Sequence, residues 1–229
     1  MAIALVTSGK GTPSASSSAV TLTTTGANVI VVSLSSYHPK TGFTLTDSNG
    51  NTWTALTARN AGGGPDPNMQ QFYCLSPIVG ASHTFTAAAT NLYGTIYVHA
   101  FSGVGAYESE TGTTALSGTS LATGNLTPSA NGAVLVAAES FGFASTESGA
   151  GTYTGFDQEN VAGGVTEGLA VSYYIQPTAA AIGETFSGSD VSRAVAQCCF
   201  TAAATGHPAS RRMGGVMFSR NQSLGMIRW

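Results

Sequence analysis

Residues 26–37 read GANVIVVSLSSY, and residues 131–142 read NGAVLVAAESFG. Each stretch starts with turn-forming Gly or Asn and continues as a short apolar run. Such runs, rich in valine and isoleucine or leucine, are typical of a buried β-strand. Because the same pattern occurs twice, the sequence predicts a chain built from two related halves.

A second pair of stretches extends the repeat. Residues 71–88 read QFYCLSPIVGASHTFTAA, and residues 171–188 read VSYYIQPTAAAIGETFSG. Their comparison aligns three pairs of residues: Tyr73 with Tyr173, Pro77 with Pro177, and Phe85 with Phe186. Each half then closes with a strand that ends in phenylalanine, at Phe101 and Phe200. This repeat is too long for a solenoid, and it indicates duplication of a half-sandwich or of a small domain.

The rest of the chain also carries strand signals. Short β-branched or aromatic runs are bounded by Gly, Asn, Asp and Pro, and no segment has a sustained helical period. We therefore predict an all-β protein, a β-sandwich of jelly-roll type with two related halves and a C-terminal extension. The predicted boundaries are 1–105 for the first half, 106–129 for a Ser-, Thr- and Gly-rich connecting segment, 130–205 for the second half and 206–229 for the extension.

Composition narrows the class of protein. Charged residues make up 8% of the chain, against roughly 25% in an ordinary soluble domain. Hydrophobic residues make up 42% of the chain, and this share excludes a disordered protein. A net charge of −3 gives no reason to expect a nucleic-acid partner. No apolar run is long enough for a membrane helix, and no signal peptide is recognisable. This combination favours a virion component released by lysis, with an extracellular or cell-surface protein as the alternative.

The C-terminal segment differs from both halves because it is basic. Four of the eight Lys and Arg residues fall in the last nineteen positions: Arg211, Arg212, Arg220 and Arg228. Together with the terminal Trp229 they are candidates for docking onto an acidic neighbour. A solvated chain end is the alternative interpretation.

The motif DSNGN at residues 47–51 lies between two strand signals. An Asn-Gly pair in this setting is the strongest short-range hairpin signal, so we expect a hairpin here. Asp47, Asn49 and Asn51 also place oxygen atoms at alternating positions, as a calcium loop would. The Gly and Glu that complete an EF-hand are missing, so the hairpin is the preferred interpretation.

Aromatic side chains near predicted loops are candidates for sugar binding, because an aromatic face stacks on a sugar ring. The main candidates are Tyr37, Tyr107, Phe141 and Phe143. His38 and Tyr153 belong to the same group, whereas Trp53 lies in a strand pattern and is expected in the core.

Catalytic patterns are scarce. A glycan-cleaving enzyme would need two nearby carboxylates, and the candidates, which we expect to be solvated, are Glu108, Glu110, Glu139, Asp157 and Glu159. His99 fits a hydrogen-bonded histidine inside a sheet. The three cysteines, Cys74, Cys198 and Cys199, fit small buried side chains, with Cys198 and Cys199 on opposite faces of one strand. We predict no enzyme activity and no cofactor.

Three motifs of the first half resemble a recurrent pattern in bacterial surface and phage-encoded β-sandwich proteins. They are TLTDSNGNTWTAL at 44–56, FYCLSPIVGASHTFT at 72–86 and IYVHAFSGV at 96–104. The resemblance covers residues 26–104 well and the second half faintly. It implies a virion or cell-surface component, such as a capsid decoration protein, a head fibre or a tail part, without catalytic residues.

We therefore expect a structural virion protein that acts by assembly and adhesion. Its expected partners are other capsid or tail proteins and further copies of itself in a homo-oligomer, with a trimer favoured. The alternatives are a carbohydrate-binding adhesin or receptor-binding module, which would bind a host glycan, and a glycan-cleaving enzyme. Neither nucleic-acid binding nor membrane insertion is expected.

Overall fold

The computed structural model describes residues 2–37, 43–62, 67–89, 92–143, 145–160 and 167–204. In this part of the chain all regular structure is β, in seventeen strands, which confirms the predicted all-β class. None of the described residues belongs to a helix that is long and apolar enough to cross a membrane. The predicted extension 206–229, with its four arginines and Trp229, lies outside the described residues.

The strands divide into two sets. The first half contains β1 (Ala4–Lys10), β2 (Ser17–Leu22), β3 (Val29–Ser36), β4 (Thr44–Asp47), β5 (Thr54–Ala55), β6 (Arg59–Asn60), β7 (Asn68–Leu75), β8 (His83–Ala88) and β9 (Thr95–Ser102). The second half contains β10 (Val104–Ala115), β11 (Ser120–Ala122), β12 (Ala133–Gly142), β13 (Ser148–Gly149), β14 (Thr154–Glu159), β15 (Glu167–Gln176), β16 (Thr185–Ser187) and β17 (Arg193–Ala202).

Both halves have the same topology. The first half has a large sheet in the order β1-β9-β3-β7-β5, with β6 also beside β7, and a small sheet in the order β2-β8-β4. The second half repeats this arrangement as β10-β17-β12-β15-β14 and β11-β16-β13. Each half is therefore a two-sheet sandwich, and all described strand pairs are antiparallel.

The strand register repeats as well. Tyr73 pairs with Val31 in the first half, and Tyr173 pairs with Val136 in the second. Phe85 lies opposite Val20, and Phe186 lies opposite Leu121 at the matching position. The residue pairs aligned from the sequence, Tyr73 with Tyr173 and Phe85 with Phe186, are thus structurally equivalent.

The central strands β3 and β12 are buried along their whole length. Ile30 and Leu34 of β3 point into the core between the two sheets of their own half, where they pack with Phe85. Val29 and Val31 point the other way. Because both faces of each strand are covered, the sequence shows a continuous apolar run instead of an alternating one.

The two large sheets pack face to face, so the molecule has four layers: small sheet, large sheet, large sheet and small sheet. Tyr73 of the first half packs edge-on against Phe200 of the second at 5.4 Å, and Tyr173 packs edge-on against Phe101, also at 5.4 Å. Such reciprocal contacts define an isologous, two-fold-like interface. Near its axis the equivalent hydroxyls of Ser35 and Ser140 lie 2.8 Å apart.

The predicted connecting segment 106–129 is wrong. All of its first ten residues belong to β10, which pairs with β17, and β11 follows in the small sheet. The direct connection between the halves is Gly103 alone, between the end of β9 and the start of β10. Ser, Thr and Gly suit β10 because it is an edge strand and most of its residues are only partly buried, so composition alone suggested a linker.

Candidate functional site

The DSNGN turn does not form the expected hairpin. Its preceding strand β4 pairs with β8 in the small sheet, whereas the following strand β5 pairs with β7 in the large sheet. The turn therefore carries the chain from one sheet of the sandwich to the other. Gly50 occupies the left-handed region at φ +74°, which a glycine adopts without strain.

The buried carboxylate of Asp47 organises this turn. Its Oδ1 accepts hydrogen bonds from the backbone N–H of Asn49 (2.9 Å) and from Nδ2 of Asn51 (3.0 Å), and its Oδ2 accepts one from Nε1 of Trp53 (2.9 Å). Burial raises the pKa of Asp47, but the hydrogen bonds from His83, Asn49, Trp53 and Asn51 outweigh it and lower that pKa.

These contacts bear on the calcium interpretation of Asp47, Asn49 and Asn51. The Asp47 oxygens receive N–H donors, and Oδ1 of Asn51 accepts the backbone N–H of Ile78 at 2.6 Å. The oxygens therefore serve the turn and the neighbouring loop instead of converging on one point. Across the described residues no group of three His, Cys, Asp or Glu side chains is placed to hold a metal ion.

A hydroxyl, an imidazole and a carboxylate line up beside this turn. Oγ1 of Thr24 lies 2.9 Å from Nδ1 of His83, and Nε2 of His83 lies 2.9 Å from Oδ1 of Asp47. The order matches a catalytic triad, but all three side chains are fully buried. Oγ1 of Thr24 also accepts the backbone N–H of Gly80 at 3.1 Å. The arrangement is suited to tying β4, β8 and the loop after β2 together.

The second half has different residues at the positions equivalent to His83 and Asp47. Glu184 takes the position of His83, and Gly149 takes that of Asp47. The Glu184 carboxylate accepts the backbone N–H of Ala150 at 2.9 Å and the hydroxyl of Ser172 at 3.0 Å. A side chain at position 149 would begin 3.2 Å from Glu184 Oε2, so a glycine leaves room for the carboxylate.

A buried charge cluster centres on Arg193. Its Nη1 donates to Oε1 of Glu139 (2.6 Å) and to Oε2 of Glu147 (2.8 Å), and Nη2 donates to Oε1 of Glu147 (3.3 Å). The remaining donors reach the carbonyl oxygens of Gly118 (2.8 Å) and Ser189 (2.7 Å). All the N–H donors of this guanidinium are thus used.

The expectation of a solvated Glu139 is therefore wrong. Glu139 and Glu147 are both fully buried and share one guanidinium. Burial raises the pKa of Glu139 to about 8; the Arg193 charge acts against this shift, and the Glu147 charge adds to it. With its pKa raised to about 8, Glu139 holds its proton at neutral pH. Glu147 contacts both terminal nitrogens of Arg193, whereas Glu139 contacts Nη1.

The other candidate carboxylates are also engaged. Oε1 of Glu108 accepts the backbone N–H of Ser129 at 2.6 Å. Glu110 accepts the backbone N–H and the hydroxyl of Thr57, which belongs to the first half. Asp157 and Glu159 of β14 also connect the two halves. Nζ of Lys10, in the first half, lies 3.1 Å from Asp157 and 3.0 Å from Glu159.

His99 lies in the interface between the halves, as a fully buried side chain on β9. The expected hydrogen bond is absent, because neither ring nitrogen has a partner among the described residues. Instead the ring lies beside Tyr97, at 4.7 Å, and Tyr173, at 5.7 Å. Burial lowers the pKa of His99 to about 3, against a smaller raising effect of Asp157.

The three cysteines are free and buried. Cys198 packs in the interface between the halves and Cys199 packs in the core of the second sandwich, so they point to opposite faces as predicted. Burial raises the pKa of Cys199 to about 12.

Two of the four main aromatic candidates do not present an open face. Phe141 is fully buried in the core of the second sandwich, so its prediction as a ligand-binding residue is wrong. Tyr107 stacks on Tyr73 across the interface, with ring centres 4.9 Å apart. Tyr153 is also buried, and its hydroxyl donates to Gln197 at 2.7 Å.

Tyr37 is half-buried and Phe143 is exposed. They follow β3 and β12 at one end of the molecule, here called the loop end, where these strands finish at Ser36 and Gly142. Tyr37 lies edge-on to Tyr93 at 6.3 Å, and Phe143 is 64% exposed. Sequence reasoning missed Tyr93 and also Arg193, whose only sequence signal is a lone charge at the start of an apolar strand.

The opposite end, here called the tail end, is where β3 and β12 begin and where the described chain stops at Ala204. A cleft of about 470 Å³ opens there between the halves. Its lining is mainly apolar and consists of Ala2, Ile3, Ala130, Asn131, Gly132, Ile175, Ala202, Ala203 and Ala204. The predicted docking residues Arg211, Arg212, Arg220, Arg228 and Trp229 follow this point in the chain, and His38 likewise lies outside the described residues.

Comparison with protein-family models, with curated proteins and with solved structures found no match for this chain.

Proposed function

We propose that the protein is a structural component of a virus particle, such as a capsid decoration protein, head fibre or tail part, that acts by assembly and adhesion. The supporting observation is the four-layer body, in which the two halves bury their large sheets against each other. Buried ion pairs hold segments of this body together, as Arg193 does with Glu139 and Glu147. The resemblance of residues 26–104 to phage and bacterial surface β-sandwiches points to the same class of protein.

We further propose that each half is a jelly roll. Counting β5 and β6 as one strand, the large sheet has the order first, eighth, third, sixth and fifth, and the small sheet has the order second, seventh and fourth. A jelly roll interleaves early and late strands in this way across two sheets. The fifth strand lies in the large sheet of both halves, as β5 with β6 in the first half and as β14 in the second.

The tail end has the features that favour attachment to a particle. The described chain leaves at the tail end, directly from the lining of the apolar cleft. The basic segment that follows can bind an acidic neighbour, and the cleft adds an apolar surface at the same end. Attachment through the tail end would expose the loop end. We expect further copies to assemble into a homo-oligomer, with a trimer favoured.

Co-sedimentation with purified particles tests this proposal. The full chain, a chain ending at Ala204 and a full chain with Arg211, Arg212, Arg220 and Arg228 replaced by glutamine would each be mixed with particles from the strain that carries the gene. We expect the full chain to sediment with the particles and both variants to stay in solution.

Two results would count against the proposal. Equal binding by the chain ending at Ala204 would show that the basic segment is not the docking element. If the full chain fails to bind and its peptides are missing from purified particles, the structural role itself is wrong.

A further inference from the structure

We propose that the loop end binds a neutral oligosaccharide through the aromatic side chains Tyr37, Tyr93 and Phe143. This goes beyond the structural role, because that role needs only the tail end. It also brings together aromatic residues of both halves that are far apart in sequence.

The packing of the two halves brings together the ends of the strands that precede Tyr37 and Phe143. Ser35 and Ser140 touch across the interface at 2.8 Å, and each lies close to the end of its strand. Tyr37 follows two residues after Ser35, and Phe143 follows three residues after Ser140. Packed sheets lie about 10 Å apart, so a ligand that reaches from Tyr37 in one half to Phe143 in the other must be longer than one sugar ring.

The backbone holds two of the rings in an unusual conformation. Phe143 has φ +66° and Tyr93 has φ +39°, in the left-handed region that costs a non-glycine residue free energy. In the described residues only one further non-glycine residue, Ser76, has positive φ. Such local strain tends to occur at functional sites. Phe143 is also 64% exposed, although burial of its ring would be favourable.

The supports of Phe143 are rigid. The backbone N–H of Gly142 donates to the carbonyl of Ser192 at 2.9 Å. The same loop is held by Arg193, which binds the carbonyl of Ser189 and the carboxylates of Glu139 and Glu147. An exposed ring on a fixed base loses little conformational freedom when a ligand binds, so it is preorganised for stacking.

Part of the charge described near the loop end is already engaged within the fold. Lys10 is held between Asp157 and Glu159, so its charge is already compensated. Asp190 accepts the backbone N–H of Gly118 at 2.7 Å. Aromatic faces beside hydroxyl-bearing residues match the apolar face and the polar rim of a neutral sugar.

A glycan array tests the assignment. The probes are immobilised neutral oligosaccharides (maltoheptaose, cellohexaose, chitohexaose and xylohexaose) and a set of sialylated glycans, followed by calorimetry with the strongest binder. We expect the full chain to bind at least one neutral oligosaccharide. Phe143→Ala and Tyr93→Ala should each weaken that binding about tenfold, the effect of losing one stacked ring.

Ile78→Ala is the matched control, because Ile78 is 63% exposed but lies at the tail end. It should leave glycan binding unchanged, and thermal unfolding should show that all three variants are folded. The proposal is overturned if no neutral oligosaccharide binds at millimolar concentration, or if binding survives both aromatic substitutions. It is also overturned if these substitutions change the oligomeric state instead, which would make the loop end an interface between copies. None of these variants alters the basic segment, so particle co-sedimentation remains a separate test.

Discussion

At the scale of single residues, Arg193 is the clearest determinant of the second half. It connects β17 to Glu139 of β12, to Glu147 and to the loops at Gly118 and Ser189. We expect Arg193→Met to lower the free energy of unfolding by about 3–5 kcal/mol, because the carboxylates would stay buried without their cation. Urea denaturation measures the change.

Arg59→Met is the control for this substitution. Arg59 carries the same group but forms no ion pair with a described carboxylate, so we expect a loss of about 1 kcal/mol or less. Equal losses for the two variants would mean that the buried cluster contributes nothing specific.

Glu139 makes the free energy of unfolding depend on pH between about 4.5 and 8. Its pKa is about 8 in the folded protein and near 4.5 when solvated, so between these values the unfolded chain binds fewer protons. The free energy of unfolding therefore falls as the pH rises from about 4.5 to 8, by at most about 1.4 kcal/mol per pH unit. Glu139→Gln keeps a neutral side chain of the same size and should remove this slope.

His99 gives the opposite dependence on the acid side. Its pKa falls from 6.5 to about 3 on folding, so the unfolded chain takes up a proton below pH 6.5 and stability declines as the pH falls further. Wild type should therefore be most stable between about pH 4.5 and 6.5. If Glu139→Gln keeps the fall in stability between about pH 6.5 and 8, the assignment of the proton to Glu139 is wrong.

Sequence reasoning identified Glu139 as a candidate but not its partner. The signal was a carboxylate at the end of the apolar run AVLVAA. Arg193 is far away in sequence, and only the antiparallel pairing of β12 with β17 brings the two together. Long-range pairing of this kind leaves no trace in local periodicity, so the charge was expected to be solvated.

At the scale of elements, Gly103 is the critical connection. It has φ +75°, and a Cβ there would lie 2.3 Å from the carbonyl oxygen of Ala2. We expect Gly103→Ala to lower the free energy of unfolding by about 2 kcal/mol or more, because backbone strain and a clash with main chain add together. Thermal or urea unfolding measures the loss.

Gly50→Ala is the matched comparison. Gly50 has nearly the same φ, +74°, but no atom lies within 4 Å of its added Cβ. Only the left-handed backbone is then penalised, so the expected loss is about 1 kcal/mol. If Gly50→Ala is as damaging as Gly103→Ala, the close approach at Ala2 is unimportant.

The wrong prediction of a hairpin at DSNGN shows why the positions of strands were predicted better than their pairing. Both flanking strands were recognised, but the motif does not encode which sheet each strand joins. The indole N–H of Trp53 donates to Asp47, and its ring packs edge-on near Phe85 at 6.0 Å in the core. These contacts accompany the passage of the chain from the small sheet to the large sheet. A rule based on the turn sequence alone cannot predict which sheet the next strand joins.

At the scale of the whole molecule, the repeat was the most informative sequence signal. It gave two related halves and equivalent residues such as Tyr73 and Tyr173, whose pairings repeat in the structure. It could not show how the halves pack, because the residues of the interface, for example Val31 and Val136, look like ordinary core residues. The linker was misplaced because an edge strand rich in Ser and Thr, such as β10, resembles a loop in sequence.

The proposal that the tail end attaches and the loop end binds an oligosaccharide depends on this packing. The reciprocal contacts of Tyr73 with Phe200 and of Tyr173 with Phe101 set the two halves side by side. The ends of β3 and β12 therefore lie together at the loop end, and the chain leaves from the other end at Ala204. Attachment and ligand binding can then proceed without interfering with each other.

Cryo-electron microscopy of particles from the strain that carries the gene tests the proposed role most directly. We expect surface density that fits the four-layer body, with Ala204 toward the particle and Phe143 pointing into solvent. Particles whose density is fully explained by other proteins, or a body attached through its Phe143 end, would contradict this account.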